Sequence, residues 1–137
     1  MVSVRAAKAK GSSFEYDCQE SLQAIYPNIY RTSERGFQLQ YDLRSDTDGL
    51  KAVFECKRLK GISWNQAKKY LFKLQEKAPE GYDCYLLFKS NRQPCLVMFT
   101  NESELSRVEV LEFQDVFSVP FVKHKSTRNR GEKNESV

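Results

Sequence analysis

The chain has 137 residues, 40% of them hydrophobic and 29% charged, and a formal net charge of +4. That length suits one domain with a real hydrophobic core and is too short for two, while the composition excludes a disordered or membrane protein. No apolar run approaches a bilayer span and "MVSVRAAKAK" lacks the continuous apolar stretch of a secretory signal, so an intracellular, cytoplasmic protein is expected.

The expected elements follow in chain order. Residues 1–10, with Arg5, Lys8 and Lys10, read as a basic N-terminal arm ahead of a single domain over 11–122. "SSFEYDCQESLQAIY" places Phe14, Cys18, Leu22 and Ile25 on one stripe of a helix that starts near Ser12 and is stopped by Pro27. A short strand around Asn28–Thr32 and a turn at 34–36 precede two strands, roughly Phe37–Arg44 and Lys51–Arg58, joined by the turn-rich "SDTDG". Ser63 then caps a helix running to about Lys77, with Trp64, Ala67, Leu71 and Leu74 as its buried stripe, and "APEG" ends it. "CYLLFKS", "CLVMFT" and "RVEVLEF" supply further strands, the last at an edge, and "KHKSTRNRGEKNESV" is a basic tail expected to be flexible. The mixed order implies an α/β fold around one central sheet.

Charge is unevenly spread. Each end carries a net +3, which against the chain's +4 leaves residues 11–122 at −2. Lys57 to Lys77 holds seven basic residues against Glu76, whereas Glu102 to Asp115 holds five acids against Arg107. A charge run is ordinarily a solvated face, yet a basic strip of this kind is also what a polyanion-binding surface needs. The four cysteines lack CxxC spacing and have only His124 as a histidine companion, so buried reduced thiols are expected rather than a zinc site or disulfides.

The hairpin raises the chemical question, because Asp42, Glu55 and Lys57 lie within its strands and charge in a sheet is costly unless it is paired or used. Glu55 and Lys57 share a face. If Arg44 pairs with Lys51, Asp42 lies opposite Val53 and diagonal to Glu55, within about 7–8 Å. Two carboxylates and a backbone carbonyl so placed can hold Mg²⁺, with Lys57 beside them to orient water or neutralise a phosphate. The plain structural alternative is a cross-strand ion pair at the sheet edge. Ser12 and Glu15 likewise fit a capping box, Asp46 and Asp48 read as turn formers, and a slipped register would exchange Asp46 for Asp42. Trp64 and Tyr70 read as packing groups.

An Asp, a turn and then Glu-x-Lys on the following strand resembles the signature of the PD-(D/E)XK nuclease superfamily. The segments "KGSSFEYDCQESL", "RTSERGFQLQYDL", "AVFECKRLK" and "QAKKYLFKL" are similar to successive segments of archaeal-type Holliday junction resolvases, over about residues 10–100. The resemblance implies a restriction-endonuclease-like central mixed sheet with flanking helices, and a hydrolase acting in DNA recombination. It assigns catalytic roles to Glu15, Asp42, Glu55, Lys57 and Gln66, and metal ligation (Mg²⁺ or Mn²⁺) to Asp42, Glu55, the Cys56 carbonyl and Glu15. Contacts to DNA or to the active site fall on Lys10, Arg31 and Ser33, and Arg35, Arg58, Lys60, Lys69 and Lys73 complete the expected phosphate-binding set. Tyr41 stands where the family usually has Pro, which bears on strand register. Because little chain remains for reading bases, selection by DNA shape, as at branched junctions, is the economical expectation, with a homodimer or higher homo-oligomer placing two sites on opposing strands. The alternatives are a sequence-specific homing or restriction-like endonuclease of a mobile element or virus, and a non-catalytic DNA-binding subunit with the nuclease fold. Either way the protein is expected on nucleoid or viral DNA and not at a membrane.

Overall fold

Phe14, Cys18 and Leu22 recur every fourth residue and are buried on one face of helix α1 (Val4–Leu22). In this computed structural model residues 4–36, 41–58, 60, 61, 63–102 and 107–123 are described, with side chains from Ser13 onward. The helix starts at Val4, not near Ser12, and so takes in most of the expected arm: "VRAAKAK" is rich in good helix formers, and Gly11 costs only about 1 kcal/mol. Ser12 therefore lies inside the helix and not at its start. α1 ends at Leu22, ahead of Pro27, and the chain turns on hydrogen bonds from the Ile25 and Tyr26 N–H groups to the Leu22 carbonyl.

Strand β1 (Tyr30–Arg31) passes into a 3₁₀ turn (Thr32–Arg35) closed by Gly36, whose φ of 72° is the left-handed conformation that favours glycine. β2 (Leu43–Ser45) and β3 (Ala52–Arg58) form the expected hairpin, while residues 37–40 of the predicted first strand and residues 124–137 of the tail lie outside the described residues. The register differs from the expected one by two residues: Arg44 faces Val53 and Ser45 faces Ala52. The reason lies in the loop. The Leu50 N–H turns back to the Thr47 carbonyl at 2.8 Å and Leu50 packs against the core, so the loop extends to Lys51 and pairing begins at Ala52. A two-residue shift preserves which side chains share a face.

Ser63 caps α2 (Trp64–Lys77), its Oγ accepting the Gln66 N–H at 3.1 Å, and Ala67, Leu71 and Leu74 are buried as expected. Trp64 is not; it is 51% exposed, because it opens the helix beyond the sheet face that the next turns cover. β4 (Asp83–Lys89), β5 (Leu96–Asn101) and β6 (Arg107–Glu112) follow, and a short α3 (Phe113–Phe117), which the sequence pattern had not indicated, closes the described chain.

The result is an α/β fold with a six-stranded mixed sheet in the order β1-β2-β3-β4-β5-β6, in which β3 and β4 form the parallel pair. That pair needs a crossover, which α2 provides. On one sheet face Phe54, Cys56, Leu87 and Val97 meet α1 and α3; on the other, Val53, Leu86, Phe88 and Met98 meet α2. Cys18, Cys56 and Cys95 are buried in the first of these cores. Among the described residues no helix is long and apolar enough to cross a membrane.

Candidate functional site

Alternation along β3 divides its side chains: Ala52, Phe54 and Cys56 enter the α1 core, and Val53, Glu55 and Lys57 face α2. Val53 is covered by Leu74 and Tyr41, but beyond it the covering thins, and Glu55 and Lys57 emerge where the sheet, α2 and the bend at Asp42 meet. The Lys57 ammonium lies 3.3 Å from Glu55 Oε2 and 4.7 Å from the centre of the Tyr70 ring. Gln66 Nε2 in turn donates to the Tyr70 hydroxyl at 3.4 Å.

Asp42 arrives from the neighbouring strand. The ladder does not run on through it as a plain pair; its N–H reaches the Phe54 carbonyl at 3.0 Å, and its Oδ2 accepts the Cys56 N–H at 2.8 Å. The carboxylate thus takes over a ladder bond, which aims it at the Glu55-Cys56-Lys57 segment. Glu15 comes from the middle of α1. Arg31 on β1 clamps it with Nε and Nη2 at 3.3 and 3.2 Å, and stacks on Tyr16 at 4.2 Å.

Three carboxylates are therefore gathered with little solvent, and their proton affinities respond. Burial raises Glu55 most, the charge of Asp42 adds to it, and despite Lys57 the group is pushed up to about 7. Glu15 is raised by burial and by Asp42, against the pull of Arg31, and the two carboxyls are within hydrogen-bonding reach. Asp42 is raised by burial, although the Cys56 N–H, Lys57 and Arg31 oppose this. Glu55 Oε1 is buried and accepts no hydrogen bond from any described group, a condition that ordinarily costs about 1–3 kcal/mol, more for a charge.

Such an orphaned oxygen, on a carboxylate raised by burial and by the charges of Asp42 and Glu15, fits a divalent cation taken from solution. Among the described residues no three of His, Cys, Asp and Glu form a ready-made enclosure for a metal. An ion placed here would rest on few protein oxygens and keep its waters, as Mg²⁺ can.

The remaining predicted residues divide. Cys56 contributes its N–H, while its thiol lies in the opposite layer, where burial pushes it up to about 12; the same effect raises Cys18, and such thiols are poor nucleophiles. Ser33 and Lys60 are exposed, Arg35 lies over the Tyr30 ring at 3.8 Å, and Arg58 Nη2 donates to Asn91 at 2.8 Å. Lys73 borders the cluster; Lys69 is exposed on α2 but does not. The Lys10 side chain lies outside the described residues. Asp46 is not at the site, because Arg44 Nε, the Tyr82 hydroxyl and the Tyr30 hydroxyl fix it to the hairpin loop at 2.6, 2.6 and 2.8 Å.

Two residues were missed, Tyr70 and Lys77, both beside Glu55 and Lys57. Their signal was spacing: Tyr70 is four residues after Gln66, and Lys73 and Lys77 continue the same flank at i+3 and i+7. A larger cavity of about 600 Å³ lies at the other end of β4, lined by Phe72, Tyr82, Tyr85 and Phe99 with Glu80 and Asp83. Acidic and without a basic lining residue, it is unsuited to a phosphate. Compared with known proteins, the chain matches no family model, no curated protein and no solved structure.

Proposed function

We propose that this protein is a metal-dependent DNA endonuclease of the PD-(D/E)XK type, with a restriction-endonuclease-like sheet, most similar to archaeal-type Holliday junction resolvases. The observation that carries this reading is the buried Glu55 Oε1 without a donor, beside Lys57 and near enough to Asp42 and Glu15 for their charges to raise it. Desolvated acids with an unsatisfied oxygen are what a site for a cation offers.

Asp42 and Glu55 would hold Mg²⁺ or Mn²⁺, with the Cys56 carbonyl and Glu15 completing the set. When bound, such an ion supplies charge neutralisation for the phosphoryl transition state and lowers the pKa of water. Lys57, held between Glu55 and the Tyr70 ring, donates hydrogen bonds to the attacking water or to a non-bridging phosphate oxygen. Arg31 fixes Glu15 so that it faces Asp42. Water adds to phosphorus in line, the P–O bond to the leaving sugar breaks, and the basic residues Arg35, Arg58, Lys60, Lys69 and Lys73 hold neighbouring phosphates, which makes binding strongly salt-dependent. A two-fold homodimer would set two such sites on opposing strands of a branched DNA.

The test compares a four-way junction, a flap, linear duplex and single strand at equal salt, with Mg²⁺ and with EDTA. Symmetric Mg²⁺-dependent nicks near the junction, lost in Asp42→Asn and Lys57→Ala, are expected. A unique cut in long duplex selects the sequence-specific alternative. Binding without cutting by any protein preparation identifies a non-catalytic subunit and ends the nuclease reading.

A further inference from the structure

Beside the carboxylates a groove of about 200 Å³ opens between β3 and α2, walled by Glu55, Lys57, Tyr70, Lys73, Leu74 and Lys77. Lys57 is already committed to Glu55 and to the Tyr70 ring. Lys73 and Lys77 are not: both are exposed and in no ion pair among the described residues, so the groove carries two uncompensated ammonium groups on successive turns of one helix flank. At roughly 30 Å³ per water, its volume is that of about seven waters, which admits a phosphate with its sugar and leaves a base outside. Lys77 also ends α2, where the helix dipole favours a cation.

We propose that this groove is a subsite for a nucleic-acid backbone phosphate next to the scissile one, with Lys73 and Lys77 as its ligands. It rests on the nuclease reading for the identity of the strand, but not for the existence of the anion site. Seating the neighbouring phosphate here aligns the strand across Glu55 and Lys57, and the attraction is that of ammonium for phosphate, readable in the salt dependence.

The experiment uses the full chain in EDTA and the dinucleotide pTpT, with TpT and inorganic phosphate as comparison probes, followed by amide NMR shifts and Kd across a salt series. The expected result is that pTpT shifts the amides of Tyr70 to Lys77 and binds more tightly than TpT or phosphate. Lys77→Gln and Lys73→Gln each weaken it about fivefold and flatten its salt dependence. Lys68→Gln, whose ammonium lies over Trp64 on the other flank of α2, leaves it unchanged. Wild-type binding by Lys77→Gln, an equal loss in Lys68→Gln, or inorganic phosphate binding as tightly as pTpT each overturns the proposal. If the enzyme cuts DNA and Lys77→Gln is silent, the subsite falls and the nuclease stands. If Lys77→Gln weakens pTpT in a protein that cuts nothing with Mg²⁺, the anion site stands and the nuclease falls.

Discussion

Asp42 and Asp46 lie four residues apart on the same hairpin and have opposite surroundings. Asp46 accepts hydrogen bonds from Arg44, Tyr82 and Tyr30, and although burial pulls its pKa upward, the donors outweigh it and hold the carboxyl below the usual range. Asp42 is raised by burial, which outweighs its one backbone donor and the charges of Lys57 and Arg31, and its own charge in turn raises Glu15 and Glu55. The first is an acid that the fold uses to fasten its loop to the start of β4. The second belongs to a group of acids that the fold desolvates and that Arg31 and Lys57 offset only in part, which is where the proposed cation would sit.

The comparison is broken most severely by chemistry. Asp42→Asn and Lys57→Ala should each lower Mg²⁺-dependent cleavage roughly 10²–10³-fold or more in a nicking assay, while Asp46→Asn, once folded, keeps most of it. Comparable losses in all three would erase the distinction.

Stability gives the next largest effect. Glu55 keeps its proton to about pH 7 in the folded chain but only to its ordinary 4.5 when unfolded. Between those values the folded state binds more protons, so stability of the metal-free protein falls as pH rises and levels off above about 7. Glu55→Gln should therefore be more stable than wild type at pH 8, by on the order of 3 kcal/mol, in urea unfolding with EDTA. Millimolar Mg²⁺ should raise the Tm of wild type at that pH and leave Glu55→Gln unmoved. A Glu55→Gln protein less stable than wild type would show that the carboxylate is a structural partner of Lys57.

Asp46 should behave in the opposite sense. Its stabilisation is present above the ordinary aspartate range and is lost as pH falls through its lowered folded value. Because its side chain is 44% exposed, solvent screening reduces the effect, and Asp46→Ala should cost about 1 kcal/mol at pH 7, read by thermal unfolding. The smallest expected change is Trp64→Ser, under about 1 kcal/mol, since that side chain is half exposed at the first turn of α2.

Alternation along a strand made it legible that Glu55 and Lys57 share a face, whereas Glu15 and Gln66 were named only through the resemblance to nuclease segments. A two-residue error in hairpin register left unchanged which side chains of β3 share a face, because side chains alternate with period two. Trp64 was misread since a helical stripe says which residues align, not how far along the helix the sheet extends to cover them. Tyr70 was assigned to packing because an aromatic on an amphipathic helix usually packs; that its ring faces an ammonium depends on a strand distant in sequence. The start of α1 was missed because a basic, Ala-rich segment shows no apolar stripe, and helix propensity alone carries it.

From the chain's own order of residues came the α/β class, the crossover helix with its Ser63 cap, and the face shared by Glu55 and Lys57, all of them consequences of short-range geometry. Only the tertiary structure decided that Asp46 is tied down while Asp42 stands among acids, that Arg31 reaches Glu15, and that Tyr70, Lys73 and Lys77 border the same groove. Those outcomes depend on side chains from distant segments sharing one desolvated space, and burial and mutual charge, which set their chemistry, do not exist until the layers close over them.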